Sequence, residues 1–374
     1  MIPLFKPCLG KKEEQAVIKT LRSGWLGNGP QALALEQKLA QLTGTKYAVA
    51  LNSATAALHL SLLTTIKPGD EVISSSLTFV AANQAILQAG GKIVFADCDE
   101  FTLSTDTADV IKKISVKTKA VIVTHYGGMP ADLQPLVKIC RQKKIALIED
   151  CAHAAGSYYR GKHVGGFGTL GCFSFAAIKN ITTGDGGMVV TNDKKLADRI
   201  RHLAWSGISS STWLRYQGNT GPKAHRKWEY DVTDLGFKYQ MNDLAASIGL
   251  VQFDKLNQTN GRRAKITERY NRALAKPDWI ELPAAKPGMK SSHHNYVIKV
   301  DARIRDRLID YLNQAGISAN VHYLPNHLYK MFRQFPHDVP VTDRVWRQIV
   351  LLPIFPDLSL SDQNKIMAAV RAFK

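Results

Sequence analysis

"KYAVALNSATAALHLSLLTT", Lys46 to Thr65, opens as an apolar strand-like run, turns on small residues after Asn52 and continues as a helix-like run. The same rhythm repeats. "DEVISSS" (70–76) leads into "TFVAANQAILQAG" (78–90), and "KIVFADCD" (92–99) precedes another helical stretch. "KAVIVTHY" (119–126) leads to "ADLQPLVKICRQKK" (131–144), and "IALIEDCA" (145–152) follows. Such alternation predicts βαβ units and an α/β sheet. Strands this uniformly apolar are buried on both faces by helices, as in parallel sheets. "GCFSFA" (171–176) and "GGMVVTN" (186–192) read as two more short strands, bracketing Lys179.

A chain of 374 residues is long for a single core, so a larger and a smaller unit are expected. The division is placed at 250: residues 1–250 form the large unit with an N-terminal arm, and 251–374 a smaller C-terminal α/β unit. The strand–helix–strand pattern "NYVIKVD", "IRDRLIDYLNQAG" and "ISANVHYLP" (295–325) belongs to the second. Between them, "MNDLAASIGLVQFDKLNQTNGRRAKITERYNRAL" (241–274) is helical in pattern. "ISSSTWLRYQGNTGPKAHRKWEY" (208–230) has little periodicity and reads as a long functional or interface loop.

No apolar run approaches the roughly 18 residues of a membrane helix, and the first residues lack the order of a signal peptide, so a cytoplasmic protein with no membrane partner is expected. Five scattered cysteines without close pairing predict reduced thiols, no disulfide and no metal site. The 49 Lys+Arg against 31 Asp+Glu give a net charge of +18. These charges do not cluster, and they favour solubility and an anionic small molecule over nucleic acid.

Three features carry chemistry. After Asn52 small residues make the turn and a helix begins around Thr55 to Ala57, where free N–H groups and two hydroxyls, on Ser53 and Thr55, suit a phosphate; alone, this start is equally a plain N-cap. "IALIED" delivers Glu149 and Asp150 to a strand's C-terminal end, the edge at which open α/β sheets bind ligands, and His153 follows. Lys179 sits in a tight turn between buried strands, where desolvation lowers a lysine's pKa and makes it a nucleophile able to form a Schiff base; alone, an exposed loop lysine reads as well. Together and in this order the three fit pyridoxal phosphate: phosphate on the helix start, Asp150 on the pyridinium nitrogen, Lys179 on the aldehyde, and Phe79 as a stacking aromatic.

At the level of whole motifs the chain resembles the DegT/StrS sugar aminotransferases. The likeness runs through "SGWLGNGP", "NSATAALHLSL", "GDEVISSSLTFVA", "HYGGMPADL", "IEDCAHAAG", "FSFAAIKNITTGDGGMVV", "LGFKYQMNDLAASIGLVQ" and "LLPIFPDLS". Within the family it looks most like the UDP-4-amino-4-deoxy-L-arabinose aminotransferase type, which acts at carbon 4 of a keto-pentose. The resemblance implies a PLP-dependent transferase of fold type I, aspartate aminotransferase-like, with a large mostly parallel sheet flanked by helices and a smaller C-terminal α/β domain.

It further implies a transaminase that moves an amino group from L-glutamate to a nucleotide-linked keto-sugar, serving amino-sugar, surface polysaccharide or lipopolysaccharide synthesis, as a homodimer with shared active sites. Lys179 takes the catalytic position and Asp150 the pyridinium position. Ser53, Ala54, Thr55 and Ser174 fall at the phosphate, Phe79 and His153 beside the ring, and Lys238 where many members carry an Asn that reaches the neighbouring subunit's phosphate. Trp25, Asn28, Asp185, His322, Tyr323 and His327 lie in segments similar to sugar-pocket segments. Arg215, Lys223, Arg226 and Lys227 are candidates for the diphosphate. Ala176 and Asp185 depart from a common His and Glu. The same fold also serves cyclitol or aromatic precursors and non-catalytic regulators, and these remain the alternatives.

Overall fold

The computed structural model describes residues 1–209, 213, 216, 228 and 230–373. Its strands are β1 (Tyr47–Leu51), β2 (Glu71–Ser75), β3 (Lys92–Ala96), β4 (Thr118–Thr124), β5 (Ala146–Asp150), β6 (Tyr158–Tyr159), β7 (Lys162–His163), β8 (Leu170–Ser174), β9 (Gly187–Thr191), β10 (Ile280–Glu281), β11 (Met289–Lys290), β12 (Tyr296–Val300) and β13 (Ile349–Leu352). The helices are α1 (Lys11–Arg22), α2 (Pro30–Thr43), α3 (Ala54–Leu63), α4 (Val80–Gln88), α5 (Thr107–Lys113), α6 (Leu133–Lys143), α7 (Lys194–Ala204), α8 (Asp243–Leu274), α9 (Ala302–Gln314), α10 (Pro340–Val345) and α11 (Leu360–Ala372).

Seven strands form one sheet in the order β1-β9-β8-β5-β4-β2-β3. The pairs from β8 to β3 are parallel, while β9 runs antiparallel to both β1 and β8. The apolar runs are continuous because successive side chains enter different cores. In β4, Val121 and Val123 join a core with Leu35, Leu39, Leu136 and Ala246 from α2, α6 and α8, whereas Ala120 and Ile122 join Leu58, Leu60, Ile86 and Ile200 from α3, α4 and α7. Each of these Val, Leu and Ile side chains contributes about 1.5–3 kcal/mol on burial, so a charge at Val121 would break the sheet's central layer. The strand polarity puts the ends of β1, β2, β4, β5 and β8 and the start of β9 on one edge, and the site lies there.

A second sheet, β10-β12-β13, is antiparallel and packs with α9, α11 and the end of α8 around Tyr270, Leu274, Ile298, Leu308, Leu312 and Val350. Residue 250, where the two units are expected to divide, lies inside α8. The strand expected over "ISANVHYLP" is replaced by isolated bridges, Ile2 with Ile317 and Asn320 with Leu351, and β13 supplies the pairing strand instead. The segment ends at Pro325 and carries His322 and Tyr323 away from the ladder to the site. Among the described residues no helix is long and apolar enough to cross a membrane. The five cysteines are unpaired.

Candidate active site

A cavity of about 430 Å³ opens at the sheet edge, and Ser53, Ala54, Thr55, Asp150 and Lys179 all line it. β1 passes directly into α3, whose N-cap is Ser53. The Ser53 hydroxyl accepts from Ala56 N–H (3.1 Å) and its carbonyl accepts from Ala57 N–H (3.1 Å). Among the described residues the N–H groups of Ala54 and Thr55 have no acceptor, so the first turn keeps two donors and the positive end of its dipole for a ligand. Gly187 lets this helix start sit against β9: a Cβ there would collide with the Ser53 carbonyl and the Ala54 nitrogen.

At the end of β5 the two acidic neighbours separate. Glu149 is fully buried and accepts from the N–H groups of Gly165, Phe167 and Gly168, each at 2.7 Å, and from His125 Nε2 at 3.3 Å. The His125 tautomer follows, since its Nδ1 accepts from Ala131 N–H (3.1 Å). Burial opposes ionisation of Glu149, but the hydrogen bonds and His125 win and its pKa is lowered. Asp150 lines the cavity with one bond from Ala152 N–H (3.0 Å); burial raises its pKa against the pull of that bond, Lys179 and His125.

β8 ends at Ser174 and β9 begins at Gly187, paired to each other, so the lysine turn is closed at its base. Within it, Phe175 N–H donates to the Gly186 carbonyl (2.8 Å), Thr183 N–H to the Phe175 carbonyl (2.9 Å) and Lys179 N–H to the Ala176 carbonyl (2.9 Å). Gly184 takes a left-handed φ of 83°, which a glycine adopts without strain. Lys179 is only partly exposed, and that exposure faces the cavity. Desolvation lowers its pKa to about 8, against the attraction of Asp150. The turn thus holds an amine that is partly unprotonated near neutral pH.

Aromatic rings wall the cavity. Phe79 is 56% exposed, an uncovered apolar face at the mouth, and lies 5.8 Å from Tyr323. His153 Nδ1 accepts from Gly127 N–H (3.2 Å), leaving Nε2 to carry the ring proton, 3.3 Å from the Tyr323 hydroxyl. Burial, reinforced by Lys179, pushes His153 well below its ordinary pKa and His322 down to about 4. The rings are therefore neutral, and Lys179 has no cationic imidazole beside it.

The family's sequence profile matches residues 7–371 under the description DegT/DnrJ/EryC1/StrS aminotransferase family. The chain belongs to the DegT/DnrJ/EryC1/StrS aminotransferase family. The spore coat polysaccharide biosynthesis protein SpsC of Bacillus subtilis is 36% identical over 380 residues, covering 99% of this chain and 96% of that protein. Among solved structures, the aminotransferase TlmJ from Streptoalloteichus hindustanus superposes with a TM-score of 0.92 at 36% identity, covering 100% of this chain and 98% of that one. The PLP form of Spr1654 from Streptococcus pneumoniae superposes with a TM-score of 0.89 at 30% identity, covering 99% and 97%. The protein is a PLP-dependent transaminase of fold type I.

The cavity fits the cofactor of this aminotransferase family on its own chemistry: two free helix N–H donors and the half-engaged Ser174 hydroxyl for a phosphate, a buried carboxylate for a cationic nitrogen, and a desolvated amine for an aldehyde. Not every expected residue converges there. Asp185 is exposed but lines the cavity, as do Phe79, His153, Ser174, His322 and Tyr323. Lys238, Trp25 and Asn28 line a separate cavity, where the Lys238 ammonium sits 3.4 Å from the Trp205 ring centroid. His327 lines neither; its ring is held between Ser76 Oγ (2.7 Å) and Asp343 Oδ1 (3.0 Å). Arg215, Lys223, Arg226 and Lys227 lie outside the described residues. Sequence reasoning missed Thr78, Thr124, His125 and Tyr126 as lining residues. The strand-end rule that found Asp150, applied to "VIVTHY" and to the turn after "VISSS", points to them.

Proposed function

We propose that this chain aminates the keto group of a nucleotide-linked sugar, at carbon 4 by its likeness to the arabinose type, with L-glutamate as amino donor. The observation that carries the reading is the convergence of Lys179, Asp150 and the open start of α3 on one cavity. The polysaccharide role in SpsC's name supports an amino-sugar product. Bound pyridoxal phosphate supplies the electron sink for the carbon that loses a proton.

The residues do the rest. The Ala54 and Thr55 N–H groups and Ser174 hold the phosphate, and the Asp150 carboxylate keeps the ring nitrogen protonated. His153 and Phe79, both lining the cavity, would flank the bound ring. Lys179 Nζ would take the proton from the donor's α-carbon and return it to a second carbon that the same tethered side chain reaches, which is why its lowered pKa matters. Exchange of donor product for keto-sugar then runs the same moves in reverse.

The working unit in this reading is a homodimer in the cytoplasm. Lys238, turned away from its own chain's cavity, would then serve the partner's phosphate, and Trp25 and Asn28 the partner's sugar pocket. The test is a panel of 4-keto and 3-keto nucleotide sugars with L-glutamate, following 2-oxoglutarate. Failure of every nucleotide sugar with turnover of a keto-cyclitol would overturn the substrate class.

A further inference from the structure

Asn180 follows the cavity lysine and is buried. Its amide ties three parts of the chain. Nδ2 donates to Asn260 Oδ1 on α8 (2.8 Å) and to the Ser292 carbonyl (2.9 Å), while Oδ1 lies 2.9 Å from His294 Nδ1. The Ser292 carbonyl can only accept, which fixes the orientation of the amide; Oδ1 is then an acceptor, so His294 carries its proton on Nδ1.

The same partners hold the opposite wall. Ser292 Oγ donates to the His153 carbonyl (2.8 Å), His294 stacks on His153 with centroids 4.4 Å apart, and Asn260 Nδ2 donates to the Ala155 carbonyl (3.0 Å). The lysine turn and the His153 turn therefore hang on one polar net anchored in α8 and in the segment that leads into β12.

We propose that Asn180 is a positioning residue that fixes Lys179 Nζ relative to Asp150 and His153 by tying the lysine turn to α8 and to Ser292–His294. The inference rests on Lys179 being the cofactor lysine, as proposed above. A truncated side chain leaves the Ser292 carbonyl and His294 Nδ1–H buried without partners and Asn260 Oδ1 without its donor, and it frees the turn to swing its lysine toward solvent. Displacement of about 1 Å at such a centre costs on the order of 100-fold in rate.

The decisive readout needs no turnover. Cofactor-free protein is labelled with limiting acetic anhydride over neutral to alkaline pH, and the Lys179 peptide is quantified by mass spectrometry. Asp150, His153, His294 and His322 are the groups that bear on its titration. In wild type the amine should titrate near the lowered value of about 8, and in Asn180→Ala the midpoint should move toward an ordinary lysine. In the loaded enzyme kcat should fall about 10- to 100-fold with the KM for glutamate unchanged. Asn260→Ala, which removes one acceptor of the Asn180 amide and the donor to the Ala155 carbonyl but spares His294 and Ser292, should move both quantities the same way by less, and it carries the test if Asn180→Ala does not fold. An unmoved Lys179 midpoint and unmoved kcat, with only the melting temperature lowered, would overturn the proposal. The underlying reading fails separately: a loaded wild type without a visible absorption band that depends on Lys179 sinks the assignment of Lys179 as the cofactor lysine, not the tie.

Discussion

Glu149 and Asp150 are adjacent at the end of β5, yet the protein drives their carboxyl groups in opposite directions. Three backbone N–H groups and His125 hold Glu149 ionised, whereas Asp150, with a single hydrogen bond from Ala152, is pushed toward its protonated form by burial. One fastens the Gly165–Gly168 loop; the other keeps an unmet demand for a cation facing the cavity.

Glu149→Gln should destabilise the protein by about 1–3 kcal/mol, because an amide turns donors toward N–H groups that need acceptors. Denaturant unfolding measures this. The lowered folded pKa of Glu149 means its contribution is present above the unfolded carboxylate value of about 4.3 and is lost as pH falls through the folded one. The stability loss in Glu149→Gln should therefore shrink in acid.

Lys179→Met should abolish turnover and the visible absorption of loaded protein, yet stabilise the cofactor-free chain. The folded pKa of about 8 lies below the ordinary 10.5, so folding disfavours the charged amine. That penalty is complete below the folded value and vanishes as pH rises through the unfolded one. Cofactor-free Lys179→Met should be about 1–3 kcal/mol more stable than wild type near neutral pH, with the gap closing in alkali. Equal stability at neutral pH would show that the amine is solvated.

His153 and His294 are buried and His322 is half-buried, and the folded pKa of each lies below the ordinary histidine value, His322 at about 4. Their neutral forms stabilise the fold above the unfolded pKa of about 6.5, and that stability drains away as pH falls below it. Histidine ring resonances of His322 should stay constant down to about pH 5, and His322→Asn should reduce the slope of stability against pH on the acid side. A His322 midpoint near 6.5 would refute the desolvated wall.

Much of this site is legible in the sequence. "ALIED" and "VIVT" read as strands because alternate side chains feed two cores, and strand ends then locate Asp150. Contacts made over long sequence separation are not. Asp243 at the start of α8 caps α2 by accepting from the N–H groups of Gly29, Gln31 and Ala32, which sets the "SGWLGNGP" segment against α8 and beside the Lys238 cavity. Local cap rules look a few residues ahead and miss a carboxylate that far away. His327 shows the same limit: its ring nitrogens meet Ser76 and Asp343, partners that the sequence spacing does not reveal.

Gly187→Ala isolates the helix start from the lysine. The added methyl meets the Ser53 carbonyl and the Ala54 nitrogen, neither of which can move without shifting the first turn of α3. Since the N–H groups of Ala54 and Thr55 are the proposed donors to the phosphate, Gly187→Ala should lower cofactor retention on dialysis about 10-fold or more, while Lys179 in the cofactor-free protein still titrates near about 8. Ser53→Ala should cost about 0.5–2 kcal/mol in stability through the lost cap, with a smaller loss of retention. Retention that follows Lys179 alone and ignores Gly187 would mean that the phosphate is held elsewhere.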